Sequence, residues 1–314
     1  MTAGPVRIPP GLDAQRALGP QWSTWLDRLP AIARAVLDEW ELTPEGESWH
    51  GFCSLVLPVT TADGVAAALK VGLPDDESEH EHLALQHWHG RGAVRLLRAD
   101  PGRRALLLER LDREDLTGQW DVEACEVVAG LYPSLHVRPL PQLRSQSSYV
   151  DRWAAALRGD AGTVPVPRRL VEQALGLAAE LTAEPATAVL HGDLHYANVL
   201  RGERDGEPAW LAIDPKPTNG DPHYELEPML RDRFDEYAAP GAFGSVRDGI
   251  RRRFHTLVDA AGFDEDRARG WVVVRSVLNA HWAFEDAVRA DRALDAEERS
   301  HVTACITIAK AVQD

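Results

Sequence analysis

The opening part of the chain changes from helical to strand-like periodicity near residue 48. Residues 21–42 carry large apolar side chains at helical spacing, which predicts a helical segment that Pro30 divides in two. Residues 48–59 and 64–71 are mostly apolar, and a Thr-Ala-Asp-Gly turn signal joins them. This pattern predicts two antiparallel strands connected as a hairpin.

A second change follows residue 111, where strand patterns give way to helical ones. Before it, the pattern predicts a helix from Asp75 to Gly90 and two strands around a Pro-Gly turn at residues 101–102. After it, short strands are expected beside residues 188–195 and 209–215. Ala- and Leu-rich segments predict helices over residues 121–136, 148–159 and 167–183, and over most of the chain from Glu225 onward.

Length and composition agree with two packed domains. The chain has 314 residues, 44% of them hydrophobic. We expect an α+β protein with a β-rich lobe over residues 1–111, which begins with a helical extension, and a mainly helical lobe over residues 112–314. No apolar run approaches the roughly 18–20 residues of a membrane span, so no membrane association is expected. The three cysteines lie far apart, which excludes a disulfide framework and predicts a reducing, cytoplasmic location.

The formal net charge of −15 narrows the classes of partner. Nucleic-acid binding needs a basic footprint, so nucleic acid is not expected, whereas small cationic ligands are favoured. Lysine is rare: the chain has only Lys70, Lys216 and Lys310, and all its other basic residues are arginine. Because lysine is a compact point charge and arginine a planar fork, each lysine is a candidate for a specific role.

The chemistry is concentrated in the segment LHGDLHYANVL, residues 190–200. Asp193 and Asn198 have the spacing D-x-x-x-x-N, and a second carboxylate, Asp214, follows the next apolar strand. Phosphoryl transfer from ATP needs a carboxylate that orients the attacking hydroxyl and accepts its proton, and oxygen ligands for a hard divalent cation. We therefore expect Asp193 to be the catalytic base and Asn198 and Asp214 to hold Mg²⁺.

A kinase also needs a lysine that contacts the nucleotide phosphates and a glutamate that pairs with it. Lys70 closes an apolar strand, and its side chain is directed opposite to the alternating apolar residues. On the following helix, Glu81 shares a stripe with Ala84 and Trp88, which is the side expected to face the sheet. A buried carboxylate requires a partner, and we expect Lys70 to be that partner, with Glu77 as the alternative.

The remaining nucleotide contacts are assigned to a turn and to the end of a strand. Residues 48–54 are the expected phosphate-covering loop, in which backbone N–H groups and Ser54 reach the phosphates, although the loop has a single glycine. Backbone groups of Glu109 and Leu111 are expected to pair with the adenine edge. An ordinary strand leaving a sheet fits these two residues as well.

Together these residues resemble the aminoglycoside phosphotransferase family of the protein-kinase-like superfamily. Residues 190–200 have that family's catalytic-loop pattern. The run AIDPKPTNGDPHYELEPML, residues 212–230, looks like the streptomycin/hydroxyurea kinase branch, in which D-P-K-P stands in place of the D-F-G of protein kinases. The run EHEHLALQHWHGRGAVRLLRAD followed by LLLERL is also similar to that branch, and the similarity covers roughly residues 45–290.

The resemblance implies a bilobal protein-kinase-like fold and transfer of the γ-phosphoryl group of ATP to a hydroxyl of a small molecule. ATP and Mg²⁺ are the implied cofactors, and a streptomycin-type aminoglycoside or hydroxyurea is the implied substrate. Lys216 lies between two prolines that stiffen its loop, and we assign it to the nucleotide site, where it neutralises the transferred phosphate or places Asp214. An exposed loop lysine is the alternative.

A cationic, hydroxylated substrate would need carboxylates near Asp193. Polar residues that follow the catalytic segment are the candidates for this role: His195, Asp221, Glu225, Asp232, Asp235, Glu236 and Glu285. Solvated helical faces have the same composition. Two other functions stay open, because substrate selection is not fixed by the fold: a kinase of an endogenous amino sugar or other metabolite, and a non-catalytic pseudokinase, which the glycine-poor loop favours. The oligomeric state is left open.

Overall fold

The computed structural model describes residues 6–239 and 244–313. Its helices are α1 (Pro10–Asp13), α2 (Pro20–Glu39), α3 (Glu81–Trp88), α4 (Asp121–Leu135), α5 (Gln146–Asp160), α6 (Arg168–Leu181), α7 (Glu227–Arg231), α8 (Val246–Ala261), α9 (Glu265–Arg289) and α10 (Ala296–Ala311). Its strands are β1 (Thr43–Pro44), β2 (Trp49–His50), β3 (Ser54–Thr60), β4 (Ala66–Gly72), β5 (Leu96–Asp100), β6 (Ala105–Glu109), β7 (Ala188–Leu190), β8 (Val199–Arg204), β9 (Glu207–Ala212) and β10 (Thr218–Gly220). None of the helices described combines the length and the apolar character that a membrane span requires.

The chain divides into two compact units, Met1–Arg113 and Glu114–Asp314. The first contains an antiparallel sheet of order β1-β3-β4-β6-β5, in which β2 also pairs with β3. The second contains α4 to α10 and two small sheets, β10-β7 and β8-β9. Strands are thus concentrated in the N-terminal part and helices in the C-terminal part, as the predicted α+β class requires. The functions assigned to the two predicted lobes stay predictions.

Helix α2 is a single element that contains Pro30, so the predicted division at this residue is wrong. A proline inside a helix costs about 3 kcal/mol, because it removes a hydrogen bond and crowds the preceding turn. Full burial of one large apolar side chain returns roughly 1.5–3 kcal/mol. The helix buries apolar residues on both sides of the proline against one face of the sheet, and their burial outweighs the local cost: Trp25, Leu26, Leu29, Ala33, Val36 and Leu37.

Helix α3 begins at Glu81, later than the predicted start at Asp75. The Asp75 carboxylate accepts hydrogen bonds from the backbone N–H and the hydroxyl of Ser78, at 2.7 and 3.0 Å, and holds these residues in a turn. The Asp75 side chain thus forms hydrogen bonds with backbone groups that a helix would otherwise use, as aspartate side chains often do. His89 ends the helix in the left-handed conformation, with φ 52°.

In the C-terminal unit, strand pairing brings two loops side by side. Strand β7 pairs with β10, with Leu190 opposite Thr218, and β8 pairs with β9, with Val199 opposite Ala212. The loop that joins β7 to β8 and the loop that joins β9 to β10 are therefore neighbours. Behind them, α9 packs against α6 and α10 and is buried over most of its length.

Candidate active site

The predicted ion pair of the N-terminal unit is present. The Lys70 ammonium donates to both carboxylate oxygens of Glu81, each at 2.7 Å, and both side chains are buried. Strand β4 places Ala67, Leu69 and Val71 in the core with α2, so Lys70 projects from the opposite face of the sheet toward α3. Glu81 is the partner that the helical stripe predicted, whereas Glu77 lies in the exposed turn before α3.

The predicted phosphate loop is a tight hairpin between β2 and β3. The Gly51 N–H donates to the carbonyl of Ser54 at 3.0 Å, and Phe52 at the tip is 66% exposed. The Phe52 ring makes an edge-to-face contact with Trp22 at 5.6 Å. Ser54 is the first residue of β3 and is only 3% exposed, and its hydroxyl lies beside Gly51, where an added Cβ would come within 3.0 Å of it.

The strand end predicted to meet adenine is partly engaged within the protein. The Glu109 N–H donates to the carbonyl of Arg95 at 3.0 Å, and the Glu109 carboxylate accepts from the Arg95 N–H at 2.7 Å. Leu111 lies two residues beyond β6, is half-buried, and has backbone groups that make no hydrogen bond to any residue within 6–239 or 244–313. Leu111 is thus better placed than the Glu109 N–H for a base contact.

In the C-terminal unit, a glycine fixes the turn before the central carboxylate. Gly192 has φ +84°, and a Cβ at this position would lie 2.2 Å from the backbone oxygen of Lys216. The preceding His191 is fully buried; its Nε2 donates to Ile213 O at 2.9 Å, and its Nδ1 accepts from the Asp193 N–H at 3.3 Å. Burial lowers the pKa of His191 to about 4, so the ring is neutral and positions the turn.

Asp193 is held as a carboxylate by Lys216. The lysine Nζ donates to Asp193 Oδ2 at 2.8 Å, and the Asp193 side chain is 17% exposed. Burial by itself would raise the pKa of Asp193, but the ammonium of Lys216 holds that pKa well below its ordinary value. Lys216 thus pairs with Asp193, while its side chain is still 36% exposed in the loop.

Asn198 and Asp214 are brought together by the β8-β9 hairpin. The Asn198 Nδ2 donates to the backbone oxygen of Asp193 at 2.8 Å, and the Ile213 N–H donates to Asn198 O at 2.9 Å. The Asn198 Oδ1 accepts no hydrogen bond from the residues that the structure describes. Asp214 follows Ile213 in the left-handed conformation, φ 56°, which aspartate tolerates better than most residues. Two oxygen-bearing side chains at this point suit a hard divalent cation.

Two buried charged residues, Glu225 and Arg275, form hydrogen bonds with the backbone of Gly192. The Gly192 N–H donates to Glu225 Oε1 at 2.9 Å, and the Arg275 guanidinium donates to Gly192 O and, at 3.0 Å, to Tyr224 O. Glu225 is completely buried, and burial raises its pKa to about 7. This predicted substrate residue therefore faces the turn at Gly192 and Asp193 rather than solvent. Arg275 was not predicted, although a single arginine in the apolar run 271–278 needs a buried partner.

Asp221, a second predicted substrate residue, is also engaged internally. Its carboxylate accepts from His223 Nδ1 and Trp271 Nε1, both at 2.6 Å, and from Arg267. Burial would raise the pKa of Asp221, but these donors lower it to about 2. The residue anchors the loop before α7 to α9.

The other predicted substrate residues are more accessible. His195 Nδ1 lies 3.1 Å from Asp232 Oδ2, and these side chains are 24% and 34% exposed. Asp235 and Glu236 are exposed on the turn after α7, where Glu236 contacts Arg233 and Arg253. Glu285 lies on α9 with its side chain 30% exposed. Of this set, His195 with Asp232 lies nearest to Asp193 along the chain and keeps partial exposure.

Comparison with known proteins gives consistent matches over most of the chain. The model of the aminoglycoside/hydroxyurea antibiotic resistance kinase family matches residues 39–287. A streptomycin 6-kinase of Streptomyces glaucescens is 41% identical over 297 residues, which cover 91% of this chain and 93% of the relative. A hydroxyurea phosphotransferase of Kitasatospora aureofaciens is 42% identical over 270 residues, which cover 83% of this chain and 75% of the relative.

Solved structures confirm the predicted protein-kinase-like fold. A choline/ethanolamine kinase family protein of Mesorhizobium loti aligns with a TM-score of 0.60 and covers 90% of this chain and 94% of its own. The two sequences are 16% identical, so this likeness concerns the fold alone.

Proposed function

The chain belongs to the aminoglycoside/hydroxyurea antibiotic resistance kinase family, and we propose that it transfers the γ-phosphoryl group of ATP, with Mg²⁺, to position 6 of streptomycin. The observation that carries the phosphotransferase chemistry is the Asp193 carboxylate, held ionised by Lys216 beside Asn198. The choice of streptomycin rests on the 41% identity to a streptomycin 6-kinase over nearly the whole chain.

Asp193 is the residue proposed to act on the acceptor hydroxyl. A carboxylate with a depressed pKa is a weak proton acceptor, so its main contribution is to orient the hydroxyl toward the phosphorus atom. This suits phosphoryl transfer, in which positioning and charge stabilisation matter more than early proton removal. The Lys216 ammonium lies 2.8 Å from the same carboxylate and is proposed to interact with the phosphoryl oxygens as well.

Asn198 and Asp214 are the residues proposed to hold Mg²⁺. The Asn198 Oδ1 accepts no hydrogen bond from the described part of the chain, and Asp214 follows the residue that is hydrogen-bonded to Asn198. When bound, the ion would neutralise charge on the nucleotide phosphates.

Lys70 is proposed to contact the nucleotide phosphates in its own unit. Its ammonium is fixed by both oxygens of Glu81, on the face of the sheet opposite the buried Leu69 and Val71. Leu111 is proposed to pair with the base through its backbone. Because ATP is the donor and the three cysteines are free thiols, we place the reaction in the cytoplasm.

Hydroxyurea is the second candidate acceptor. The observation that favours it is the 42% identity to a hydroxyurea phosphotransferase, which is as high as the identity to the streptomycin kinase. The two acceptors differ in charge, since streptomycin carries guanidinium groups and hydroxyurea is neutral. Asp232, a partly exposed carboxylate of the C-terminal unit, is a proposed contact of the cationic acceptor.

The test is a product assay with the purified full chain, MgATP and three separate acceptors: streptomycin, hydroxyurea and glucosamine. Phosphorus NMR and mass spectrometry identify the product and the position of its phosphate. We expect phosphorylated streptomycin, and we expect Asp193→Asn to lose at least about a thousand-fold in kcat while it still binds ATP. Product from hydroxyurea alone would favour the second candidate. Product from glucosamine alone would indicate a metabolite kinase, and ATP binding without any product would indicate a pseudokinase.

A further inference from the structure

A second cluster of potential ligands lies on α5 and α9. Asp160 is the last residue of α5, and His281 and Glu285 lie on α9. One ligand atom from each of these residues lies within 4.8 Å of the other two. The mechanism proposed above uses neither Asp160 nor His281.

The hydrogen bond of His281 directs one ring nitrogen, Nε2, toward Asp160. The His281 side chain is completely buried, and its Nε2 lies 2.9 Å from Asp160 Oδ2. An ionised carboxylate only accepts hydrogen bonds, so Nε2 carries a proton, and in the neutral ring Nδ1 carries the lone pair. Nδ1 has no hydrogen-bond partner in the part of the chain that the structure describes. A buried ring nitrogen without a hydrogen-bond partner is uncommon, and such an atom is a candidate metal ligand.

The nearest carboxylate to His281 Nδ1 in the cluster is that of Glu285. His281 Nδ1 lies 3.9 Å from Glu285 Oε2, which is too far for a hydrogen bond. Zn²⁺ binds imidazole nitrogen and carboxylate oxygen at about 2.0–2.2 Å in tetrahedral geometry, so two ligand atoms on one ion lie about 3.3–3.6 Å apart. The residues are four apart on one helix and therefore share a face. The observed 3.9 Å exceeds this separation by a few tenths of an ångström, which a small rotation of the Glu285 side chain would close.

The charge of the cluster also favours a cation. Within residues 6–239 and 244–313, neither Asp160 nor Glu285 pairs with an arginine or a lysine. The neighbouring Arg289 contacts Asp286 instead, at 2.8 Å. The side chains of Asp160 and Glu285 are 39% and 30% exposed, so solvent reaches the cluster although the imidazole is buried.

We propose that His281 Nδ1 and Glu285 bind a Zn²⁺ ion, that Asp160 holds the imidazole through Nε2, and that water completes the coordination. A carboxylate behind a metal-bound histidine orients the ring and strengthens it as a ligand. Imidazole with carboxylate suits Zn²⁺, whereas Mg²⁺ prefers oxygen ligands alone. The ion would be held by two residues of α9, with Asp160 of α5 behind the imidazole, and is distinct from the ion of the phosphotransferase reaction.

The experiment is calorimetric titration of the metal-free full chain with Zn²⁺, in excess Mg²⁺ so that the oxygen ligands at Asn198 and Asp214 are occupied. We expect one Zn²⁺ per chain, and we expect Glu285→Gln and Asp160→Asn each to weaken binding by about ten-fold or more. Asp286→Asn removes the same charge one residue away and is expected to bind as the unmodified chain does. Both test residues are partly exposed, and circular dichroism checks that the variants fold. Cobalt substitution should give the visible spectrum of a nitrogen- and oxygen-coordinated ion, which Glu285→Gln diminishes.

Several results would overturn the zinc site. Absence of a stoichiometric site, or equal affinity in both test variants and the control, would contradict it. Loss of zinc binding in Asp214→Asn would place the ion at the phosphotransfer residues instead. No zinc binding together with a raised KM for streptomycin in Glu285→Gln would identify the cluster as a contact for the substrate's cation, and the zinc assignment would be wrong.

Discussion

Asp193 and Lys216 form a close ion pair, because Lys216 Nζ lies 2.8 Å from Asp193 Oδ2. Burial of Asp193 opposes ionisation, and Lys216 reverses that effect. We therefore expect Lys216 to make a large contribution to the pH at which Asp193 ionises. Arginine would present a planar fork in a turn where the point charge of lysine fits, which explains a lysine in a chain that otherwise uses arginine.

Lys216→Met is expected to lower kcat by about 10- to 100-fold and to move the acid limb of its pH profile to higher pH. The reason is that the pKa of Asp193 rises once the ammonium is gone and burial acts alone. The measurement is kcat against pH with both substrates saturating. Lys310→Met, on the exposed side of α10, is the control and should leave the profile in place. An acid limb that coincides with that of the unmodified protein would show that Lys216 does not govern this ionisation.

Glu225 makes the unfolding free energy fall as the pH rises, which is the opposite of the effect of a carboxylate whose pKa is lowered on folding. Its pKa is about 7 in the folded protein, against an ordinary value of 4.5. Between these values the folded state keeps a proton that the unfolded chain releases. The stability that this group contributes is complete below its ordinary pKa and is lost as the pH rises through about 7.

Glu225→Gln is expected to remove that dependence while its amide oxygen still accepts the Gly192 N–H. From about pH 5 to about pH 8, the unmodified chain should lose about 2 kcal/mol more unfolding free energy than the variant does. Urea unfolding at both pH values measures the difference, and Glu207→Gln on the exposed part of β9 is the control. Identical pH dependence in the variant and the unmodified protein would mean that Glu225 is ionised throughout.

At the scale of elements, α9 supports the turn at Gly192 and Asp193 through the side chain of Arg275. The Arg275 guanidinium donates to the carbonyls of Gly192 and Tyr224 and lies 4.4 Å above the Tyr224 ring. It also lies 3.5 Å from Glu227. A single planar cation thus connects α9, the turn at Gly192 and the start of α7. These contacts require the rigid, forked guanidinium group of arginine.

Arg275→Lys is expected to lower the unfolding free energy by about 3 kcal/mol, because an ammonium cannot reach all these partners and leaves buried oxygens unpaired. It should also lower kcat about ten-fold or more with little change in the KM for ATP, since the turn that carries Asp193 loses its support. Chemical denaturation and steady-state kinetics provide the two readouts. Arg269→Lys is the control on the same helix, where the side chain is 27% exposed. Equal kcat in both variants would contradict a positioning role for Arg275.

Most elements were predictable because their signals are local. The period-two pattern of β3 and β4 and the apolar stripes of α4 to α6 depend on neighbouring residues only. The two errors have tertiary or side-chain causes. Burial on both sides of Pro30 keeps α2 intact, and hydrogen bonds from Ser78 to Asp75 delay the start of α3.

The candidate site divides in the same way. Lys70 and Glu81 are eleven positions apart, so strand alternation and helical angles were enough to pair them. Arg275 contacts Gly192 from 83 positions away, and no periodicity connects them. The internal hydrogen bonds of Asp221 and the burial of Glu225 could not be predicted either, because an acidic residue after a loop has the same sequence pattern whether it faces solvent or the core.

At the scale of the whole molecule, the net charge of −15 affects encounter with substrate. A negative surface potential raises the local concentration of cations and accelerates their association, and salt suppresses this effect. Streptomycin, with its guanidinium groups, should benefit from this field. Hydroxyurea, which is neutral, should not.

The kcat/KM for streptomycin is expected to fall about three- to ten-fold as KCl rises from about 0.02 to about 0.5 M, because the screening length shortens to a few ångströms over this range. Saturating MgATP removes the separate effect of salt on the anionic nucleotide, so the change reports on the acceptor. Initial rates at low streptomycin concentration give kcat/KM directly. Sucrose at matched osmolality is the control and should cause little change, since it does not screen charge. Independence from salt, or an equal decrease in sucrose, would show that local contacts rather than the overall field bring the acceptor to the enzyme.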